Sequence, residues 1–247
     1  MVQSIDRAMD IIQVLISEDN RRTWSISEIA DIVGLPASSV HRLLGSLVKH
    51  GLVEKAPETK RYQIGYTWME IGYWLHERLD FRQTARPFME QLAADTRETV
   101  YLSVPTGDSA VIVERIDSPD RVRIIDNIGE RIPMHIGAAN KSMLAFMEEM
   151  KRTQIIESLQ QITKIQGKEL MEQLSQIKNR GYAVSFGEKT PGTASIAAPV
   201  INRRQDVVGA VYINFVRDET ANARFDEWTT KVREAARLVS ASVGKAF

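Results

Sequence analysis

The sequence predicts an α+β protein with two unlike units joined by a helix. Three helical patterns and a short strand pair fill the first 65 residues. Two β-hairpin patterns, with separate helical stretches between and after them, fill the second half of the chain, which is typical of an antiparallel sheet covered by helices. We therefore predict a first domain over 1–65, a linker helix over 66–80 and a second domain over 81–247.

Composition limits the classes of function that this chain can have. Of its 247 residues 43% are hydrophobic, while 32 basic and 32 acidic side chains cancel. A protein that coats nucleic acid indiscriminately would be basic, so any nucleic-acid site here must be a local patch. The absence of Cys excludes disulfides, thiol nucleophiles and Cys-ligated zinc. Without a long apolar run or a secretion signal, we expect a soluble cytoplasmic protein that does not enter membranes.

Two helices open the chain. Apolar residues recur at helical spacing over 5–16. A second, short helix begins at a cap formed by Ser25 or Ser27 and ends at Gly34. Pro36 suits the first turn of a third helix, which begins directly after this tight turn. Helix, short Gly-containing turn and helix form a helix-turn-helix.

The third helix, the predicted recognition helix, has two different faces. Val40, Leu43, Leu44 and Leu47 share one side. The opposite side carries Ser38, Arg42, Gly45, Ser46 and Lys49. Because no acidic residue lies between Asp31 and Glu54, this face suits the major groove of DNA. The alternative is an ordinary surface helix that lacks acids by chance.

Two short strands follow, over 52–55 and 62–64, with a basic turn over 56–61 between them. They form a β-wing. Between 41 and 61 five Lys and Arg side chains face only two Glu, so positive charge concentrates on the recognition helix and wing. Such a patch supplies the attraction to phosphate that DNA binding requires.

The helix over 66–80 is apolar around much of its circumference. A helix that only separates domains would be polar. Its large side chains therefore either enter a core or pair with a second copy of the chain. The residues in question are Tyr66, Met69, Tyr73 and Trp74.

In the second domain the pattern predicts two strands around a turn, over 99–104 and 110–116, and a third strand over 122–125. Helical stretches cover 138–149, 151–160 and 168–180, and Gly181 ends the last one. A second hairpin spans 195–201 and 207–215, and a C-terminal helix begins near Ala223.

Several segments resemble the IclR family of bacterial transcription regulators. In the first domain the resemblance lies in 2–8, in Ser-Ile-Ser-Glu-Ile-Ala at 25–30, and in 34–44, 47, 51–53 and 62–65. In the second domain it lies in 98–102, Pro-Met-His at 133–135, 141–145, 181–183, Glu188 and Gly-Thr-Ala-Ser at 192–195, continuing to 200. The resemblance spans essentially the whole chain.

This resemblance implies a winged helix joined to a GAF-like sensor sheet. It also implies a dimer, or a dimer of dimers, that forms through the 66–80 helix, binds a near-palindromic operator and responds to a small organic acid. We expect a repressor without a cofactor. The expected DNA contacts are Ser38, Ser39, His41, Arg42, Ser46, Lys49, Lys60 and Arg61.

The expected effector site begins where a loop enters the 138–149 helix. Free backbone N–H groups of Ala138, Ala139 and Asn140 would bind an anion there, with no basic side chain assigned to help them. The resemblance implies that this loop contacts the effector, and that Ser185, Ser195, Tyr212 and Asn214 do so as well. Alternatively, Ser195 and Asn214 bond to backbone and Tyr212 is a core ring.

Asn140 departs from the family pattern, which has Gly before the Lys. Asn tolerates left-handed backbone geometry, so the loop could keep its shape while the side chain fills the pocket.

A different class of function stays open from the sequence: an enzyme or a protein-interaction module that carries a winged helix. A triad of Ser195, His135 and Asp126 can be written down, but no Gly-x-Ser-x-Gly elbow supports it. One His and scattered carboxylates make no metal cluster. We therefore expect neither an enzyme nor a metal site.

Overall fold

The computed structural model describes residues 2–17, 23–78, 80–120, 124 and 126–243. Within it the chain divides into two compact units, Met1–Leu79 and Asp80–Phe247. Each has its own hydrophobic core.

The first unit is a winged helix-turn-helix, as predicted. Its elements are α1 (Gln3–Leu15), α2 (Ile26–Val33), α3 (Ala37–Lys49), β1 (Val53–Lys55), β2 (Tyr62–Ile64) and α4 (Thr67–Arg78). The strands β1 and β2 pair antiparallel and form the wing. Side chains from all three predicted helices meet in the core, including Ile11, Ile29 and Val40.

Local signals set the helix ends in this unit. Ser25 accepts from the backbone N–H of Glu28 at 3.3 Å, and the Glu28 carboxylate accepts from the backbone N–H of Ser25 at 2.8 Å. This reciprocal capping box decides between the two predicted serines in favour of Ser25. Gly34 ends α2 with a left-handed φ of 65°. Pro36 is the N-cap of α3 rather than part of its first turn.

The second unit is a six-stranded sheet with helices on both faces. Its elements are α5 (Asp80–Thr96), β3 (Thr99–Thr106), β4 (Ser109–Ile116), β5 (Arg131–Pro133), α6 (Ala138–Phe146), α7 (Glu149–Ile162), α8 (Gly167–Arg180), β6 (Ala183–Phe186), β7 (Thr193–Ile201), β8 (Val207–Val216) and α9 (Glu219–Val243). The strand order is β5-β4-β3-β8-β7-β6, and every pairing is antiparallel. The predicted α+β class is confirmed.

Successive side chains of a strand point to opposite faces of the sheet, so the second unit has one hydrophobic core on each face. Ile196 and Ile213 pack on the face that α5 and α9 cover, whereas Ala197 and Tyr212 pack on the face of α6, α7 and α8. Ser195 is one residue from Ile196 and therefore lies on the α6 face. The strands thus present polar side chains to one face, near the start of α6.

Three segments of the second unit differ from the prediction or lie outside its reach. The strand predicted over 122–125 falls largely outside the described residues, and Ile124, which is described, is not in a strand. The sheet edge there is β5 instead. The other edge strand, β6, was not predicted, because four residues carry too little periodicity. The predicted helix over 138–149 ends at Phe146, where Met147 turns to extended backbone.

Candidate DNA-binding surface and ligand pocket

The recognition helix α3 keeps its predicted two-faced character. Val40, Leu44 and Leu47 are buried, while Leu43 is half-buried. The predicted DNA-contacting side chains lie on the other side, where Ser39 is half-buried and the rest are exposed, namely Ser38, His41, Arg42, Ser46 and Lys49. Hydroxyls and cations thus share one exposed surface.

Gly45 lies in the middle of this surface. A Cβ placed on Gly45 would meet nothing within 4 Å. Packing inside the unit therefore does not require a glycine here, although glycine weakens a helix by about 1 kcal/mol relative to alanine. An external partner that approaches the backbone closely would explain the residue.

The two wing cations differ in a way that the sequence did not reveal. The Arg61 guanidinium pairs with the Glu28 carboxylate at 2.6 Å and donates to the Thr23 carbonyl at 3.1 Å. Hydrogen bonds from Ser25 and the charge of Arg61 lower the pKa of Glu28. Lys60 is exposed at a turn position with a φ of 55°. Arg61 therefore joins the wing to α2, whereas Lys60 does not share this ion pair, and DNA contact by either side chain stays a prediction.

Helix α4 carries its large side chains on the surface. The exposed fractions are 69% for Tyr66, 56% for Met69, 63% for Tyr73 and 57% for Trp74. The indole N–H of Trp68 on the same helix donates to the Leu52 carbonyl at 2.9 Å, which joins α4 to the first unit. Within the part of the chain that the structure describes, the four predicted side chains are therefore not buried in a core. Pairing with a second copy stays a prediction.

The seven predicted effector residues line a single pocket in the second unit. It encloses about 50 Å³ and lies between the start of α6, strands β6 to β8 and the loop over 187–192. Its lining includes Ala138, Ala139, Asn140, Ser185, Ser195, Tyr212 and Asn214. The lining also includes Asp126, Glu188 and Lys189, and none of these three was predicted to contact the effector.

Two backbone N–H groups at the start of α6 already have protein partners. The Glu188 carboxylate accepts from the N–H of Gly137 at 2.8 Å, and the Ser185 hydroxyl accepts from that of Ala138 at 3.1 Å. Glu188 also pairs with Lys141 at 2.6 Å. Fewer backbone N–H groups are therefore left for an anion than expected. The N–H groups of Ala139 and Asn140, which come next in α6, are the ones that could bind it.

Asn140 lies within α6 rather than at a left-handed loop position. It is 3% exposed, and its amide nitrogen donates to the carbonyls of Ile132 and Pro133 at 3.0 and 2.9 Å. The Asn side chain thus ties α6 to strand β5. The expectation that left-handed geometry explains this departure from the family pattern is wrong.

Asp126 and Lys189 form a charged wall of the pocket. The Lys189 ammonium lies 2.6 Å from Asp126 Oδ1 and 2.7 Å from Glu130 Oε1. Burial alone would lower the pKa of Lys189, but hydrogen bonds and charge from these two carboxylates raise it. The amide of Asn214 donates to Asp126 Oδ2 at 2.7 Å. The pocket thus contains a basic side chain that the sequence did not assign to it, while recognition of the ligand's charge by the backbone N–H groups stays a prediction.

Tyr212 supports the pocket floor. Its ring stacks on Tyr101 with 5.1 Å between centroids, and its hydroxyl accepts from Ser103 at 3.2 Å. Burial, together with the charge of Asp126, raises the pKa of this hydroxyl, so that it stays protonated. Tyr212 is thus both a core ring and a pocket residue. Asn214 bonds to a carboxylate, not to backbone as the alternative had it.

The geometry gives no support to a catalytic triad. The Asp126 carboxylate is held by Lys189 and Asn214. His135 lies outside the pocket that Ser195 lines, and its Nδ1 has no hydrogen-bond partner in the described chain. Burial and the Lys141 ammonium lower the pKa of His135.

Two features are absent from the described residues, a metal-binding cluster and a membrane-spanning helix. No three His, Asp or Glu side chains gather there as a metal ion would require. No helix in these segments is long and apolar enough to cross a membrane.

Comparisons with known proteins cover both units. Residues 4–57 match the IclR helix-turn-helix domain, and residues 75–241 match the domain described as bacterial transcriptional regulator IclR C-terminal. The HTH-type transcriptional regulator KipR of Bacillus subtilis is 29% identical over 98% of this chain and 97% of its own length. The glycerol operon regulatory protein of Streptomyces griseus is 30% identical, again over 98% and 97%.

Solved structures agree in fold. An IclR transcriptional regulator from Alicyclobacillus acidocaldarius superimposes with a TM-score of 0.79 at 25% identity, covering 99% of this chain and 100% of that one. An IclR homologue from Microbacterium hydrocarbonoxydans, complexed with 4-hydroxybenzoate, has a TM-score of 0.77 at 19% identity and covers 97% and 98%. The second likeness concerns the fold alone.

Proposed function

Because this chain belongs to the IclR family of bacterial transcriptional regulators, we propose that it is a repressor whose operator affinity changes when a small organic acid binds. As a family member it is a transcriptional regulator with a helix-turn-helix DNA-binding domain and a C-terminal ligand-binding domain. The kind of regulation, the symmetry of the operator and the chemistry of the effector are the proposal. Its relatives are named as regulators, and we expect no catalysis.

The observation that carries the DNA-binding part is the exposed face of α3. Hydroxyls of Ser38 and Ser46 and the cation of Arg42 lie there beside the bare backbone of Gly45. An Arg in the first turns of a recognition helix can donate two hydrogen bonds to guanine, while hydroxyls contact bases or phosphate. Lys49 and Lys60 add attraction to phosphate. A regulator that reads DNA in this way works in the bacterial cytoplasm.

Dimerisation through α4 supports a near-palindromic operator. Two recognition helices must enter major grooves roughly 34 Å apart to read such a site. The exposed aromatic residues Tyr73 and Trp74 give α4 the apolar surface that an interface between two copies would cover. We propose a homodimer, or a dimer of dimers, assembled in part through this helix.

The proposed effector is a small carboxylate. The N–H groups of Ala139 and Asn140 begin a helix whose dipole favours an anion. The small volume of the pocket favours a compact molecule. The family fold is known with an aromatic carboxylate, since the homologue from Microbacterium hydrocarbonoxydans holds 4-hydroxybenzoate.

A gel shift with the DNA upstream of the protein's own gene tests the DNA-binding part. If Arg42 contacts guanine, Arg42→Ala should cost about 1–3 kcal/mol of binding and relax specificity at one base pair. Arg203→Ala, which removes an exposed Arg on the β7–β8 turn, is the matched control. If folded Arg42→Ala binds the operator with unchanged affinity, Arg42 does not contact the DNA bases. Retention of the fold with no salt-dependent DNA binding would favour a protein-interaction module instead.

Titration calorimetry tests the effector part. The best binder from a panel of small carboxylates is titrated into the wild type and into Ser195→Ala. Ser195 is 8% exposed and lines the pocket, so loss of its hydroxyl should weaken the ligand several-fold and leave DNA binding without ligand unchanged. Equal affinities in both proteins would remove Ser195 from the site.

A further inference from the structure

One wall of the pocket is built around the Asp126 carboxylate. Asp126 is 7% exposed, and both its oxygens accept strong hydrogen bonds, from Lys189 at 2.6 Å and from Asn214 at 2.7 Å. Lys189 also contacts Glu130 at 2.7 Å. Among the described residues, this hydrogen-bonded group thus combines two carboxylates with one ammonium and carries a net negative charge.

The charges of this wall decide which ligand groups it accepts. A ligand carboxylate placed against it would meet an excess of negative charge in a buried site. A ligand ammonium would have to share the Asp126 carboxylate with the ammonium of Lys189, and it would lose its hydration on entry. A neutral polar group avoids both costs.

The hydrogen-bonding capacity of the wall suits a hydroxyl in particular. Two of the three N–H groups of Lys189 are used by Asp126 and Glu130, which leaves one donor. Asn214 uses its NH₂ on Asp126, which leaves its carbonyl oxygen as an acceptor. A ligand hydroxyl can accept from Lys189 and at the same time donate to the charged Asp126 carboxylate, which is the stronger acceptor of the two.

The start of α6, which lines the same pocket, has a different character. There the negative charge of Glu188 is matched by Lys141 at 2.6 Å, and the N–H groups of Ala139 and Asn140 open the α6 helix. A carboxylate is therefore better placed at the start of α6 than at the Asp126 wall.

We infer that the effector is a short hydroxy acid whose carboxylate lies at the start of α6 and whose hydroxyl lies against Asp126, Asn214 and Lys189. This inference rests on the proposed function, because it specifies the class of carboxylate that the same pocket binds. The pocket volume of about 50 Å³ limits the carbon chain to a few atoms.

Three acids of equal carbon number test the inference on the unmodified protein. Lactate carries a hydroxyl, propionate carries none and alanine carries an ammonium. We expect calorimetry or thermal-shift titration to show lactate binding about tenfold more tightly than propionate, as expected for a hydrogen bond to a charged group. Alanine should bind more weakly than lactate.

A variant of Asp126 tests whether the preference for lactate over propionate comes from the Asp126 wall. Asp126→Asn keeps the shape of the side chain and leaves Lys189 paired with Glu130, so the lactate-to-propionate ratio should fall to under about threefold, as expected when a hydrogen bond loses its charged partner. Glu157→Gln, at an exposed position on α7, is the control for loss of a carboxylate and should keep the ratio. Because the ratio compares two ligands on the same protein, a general weakening cancels. The wild-type comparison decides the hydroxyl preference even if Asp126→Asn does not fold.

The outcomes separate this inference from the proposed function. Equal binding of lactate and propionate, or tightest binding of alanine, overturns the hydroxy-acid inference, as does an unchanged ratio in folded Asp126→Asn. If none of the three binds but butyrate or benzoate does, the inference falls and the proposed carboxylate effector stands. If no carboxylate binds at all, both fall.

Discussion

Single polar residues in this protein take their roles from partners that lie far away in the sequence. Arg61 and Lys60 are neighbours on the wing, yet Arg61 pairs with Glu28 while Lys60 is exposed. Lys189 lies in a loop and completes a pocket wall with Asp126. At the scale of one residue, therefore, the partner decides whether a charge stabilises the fold or is available to a ligand.

Substitutions of the two wing cations, Arg61 and Lys60, should have different effects on stability and DNA binding. Arg61→Ala should lower stability slightly, because it removes the ion pair with Glu28 and the hydrogen bond to the Thr23 carbonyl. Lys60→Ala should leave stability unchanged, weaken binding to all DNA sequences alike and flatten the salt dependence by about one unit. Urea unfolding and gel shifts at several salt concentrations measure both effects. An equal stability loss in both variants would contradict these roles.

Gly45→Ala should move stability and function in opposite directions. The added methyl group meets nothing within 4 Å, so the helix should gain about 0.5–1 kcal/mol in its free energy of unfolding. If DNA approaches the backbone at Gly45, the same methyl group should lower operator affinity. Ser175→Ala, at an exposed position on α8, is the control for increased helix propensity alone. Unchanged operator affinity in the more stable Gly45 variant would remove the close approach.

Glu98 should make the second unit less stable as pH rises. Burial raises the pKa of Glu98 to about 7, with the Asp120 charge raising it further and Arg224 opposing. Because this pKa lies above the ordinary 4.5, the folded state keeps a proton that the unfolded state loses, so this stabilisation is lost between about pH 4.5 and 7.

Glu98→Gln removes the group that titrates in this range. It should be more stable than the wild type at pH 8, by about 1 kcal/mol after allowance for solvent access, and similar at pH 4. Thermal unfolding at both values measures this difference, with Glu157→Gln as control. An identical pH profile in the Glu98 variant would refute it.

At the scale of elements, α4 differs from every other helix described in the first unit. The helices α1 to α3 bury an apolar face in a shared core, whereas α4 exposes Tyr73 and Trp74. An exposed apolar surface of this kind usually marks an interface. The element is therefore better explained by a partner than by the fold of its own unit.

A charge on α4 should disturb assembly. Trp74→Glu should lower the oligomeric order, or operator affinity at a given protein concentration, because an interface would have to bury the new carboxylate. Ile162→Glu changes a side chain that is 68% exposed at the end of α7 and is the matched control. Light scattering at micromolar concentration measures the oligomer. A wild-type monomer that binds operator fully would contradict the proposed interface.

For the whole molecule, regulation needs a free-energy coupling between two separate units. A ligand changes DNA binding only if it prefers one of two conformations of the protein. Typical couplings are about 1–3 kcal/mol, which corresponds to a change in affinity of roughly 5- to 150-fold.

Such coupling must be reciprocal. Calorimetry of the best carboxylate, with and without operator DNA, should show the same factor that the carboxylate imposes on operator affinity. A scrambled duplex of equal length is the control for non-specific charge effects. Equal ligand affinity with and without operator would leave two independent sites and no allosteric regulation.

Local sequence patterns are enough to predict most of the helices and hairpins. The 3.6-residue period over 5–16 and along the recognition helix, and the hairpin pattern over 99–116, record which face of each element is buried. That information is local, so it can be read from neighbouring residues. The family pattern also identified residues such as Ser195 and Asn214, which the fold brings into one pocket.

The partners of the polar groups depend on how the chain folds and are not visible in local sequence patterns. Asp126 meets Lys189 across 63 residues, Glu28 meets Arg61 across 33, and Asn140 bonds to the carbonyl of Ile132 on a strand that periodicity did not predict. Charge and hydrogen-bonding capacity are visible in a sequence. The distance between two such groups is set by how whole elements pack, and the interaction falls off with that distance. The pocket wall, unlike the helices, could therefore not be predicted from the sequence.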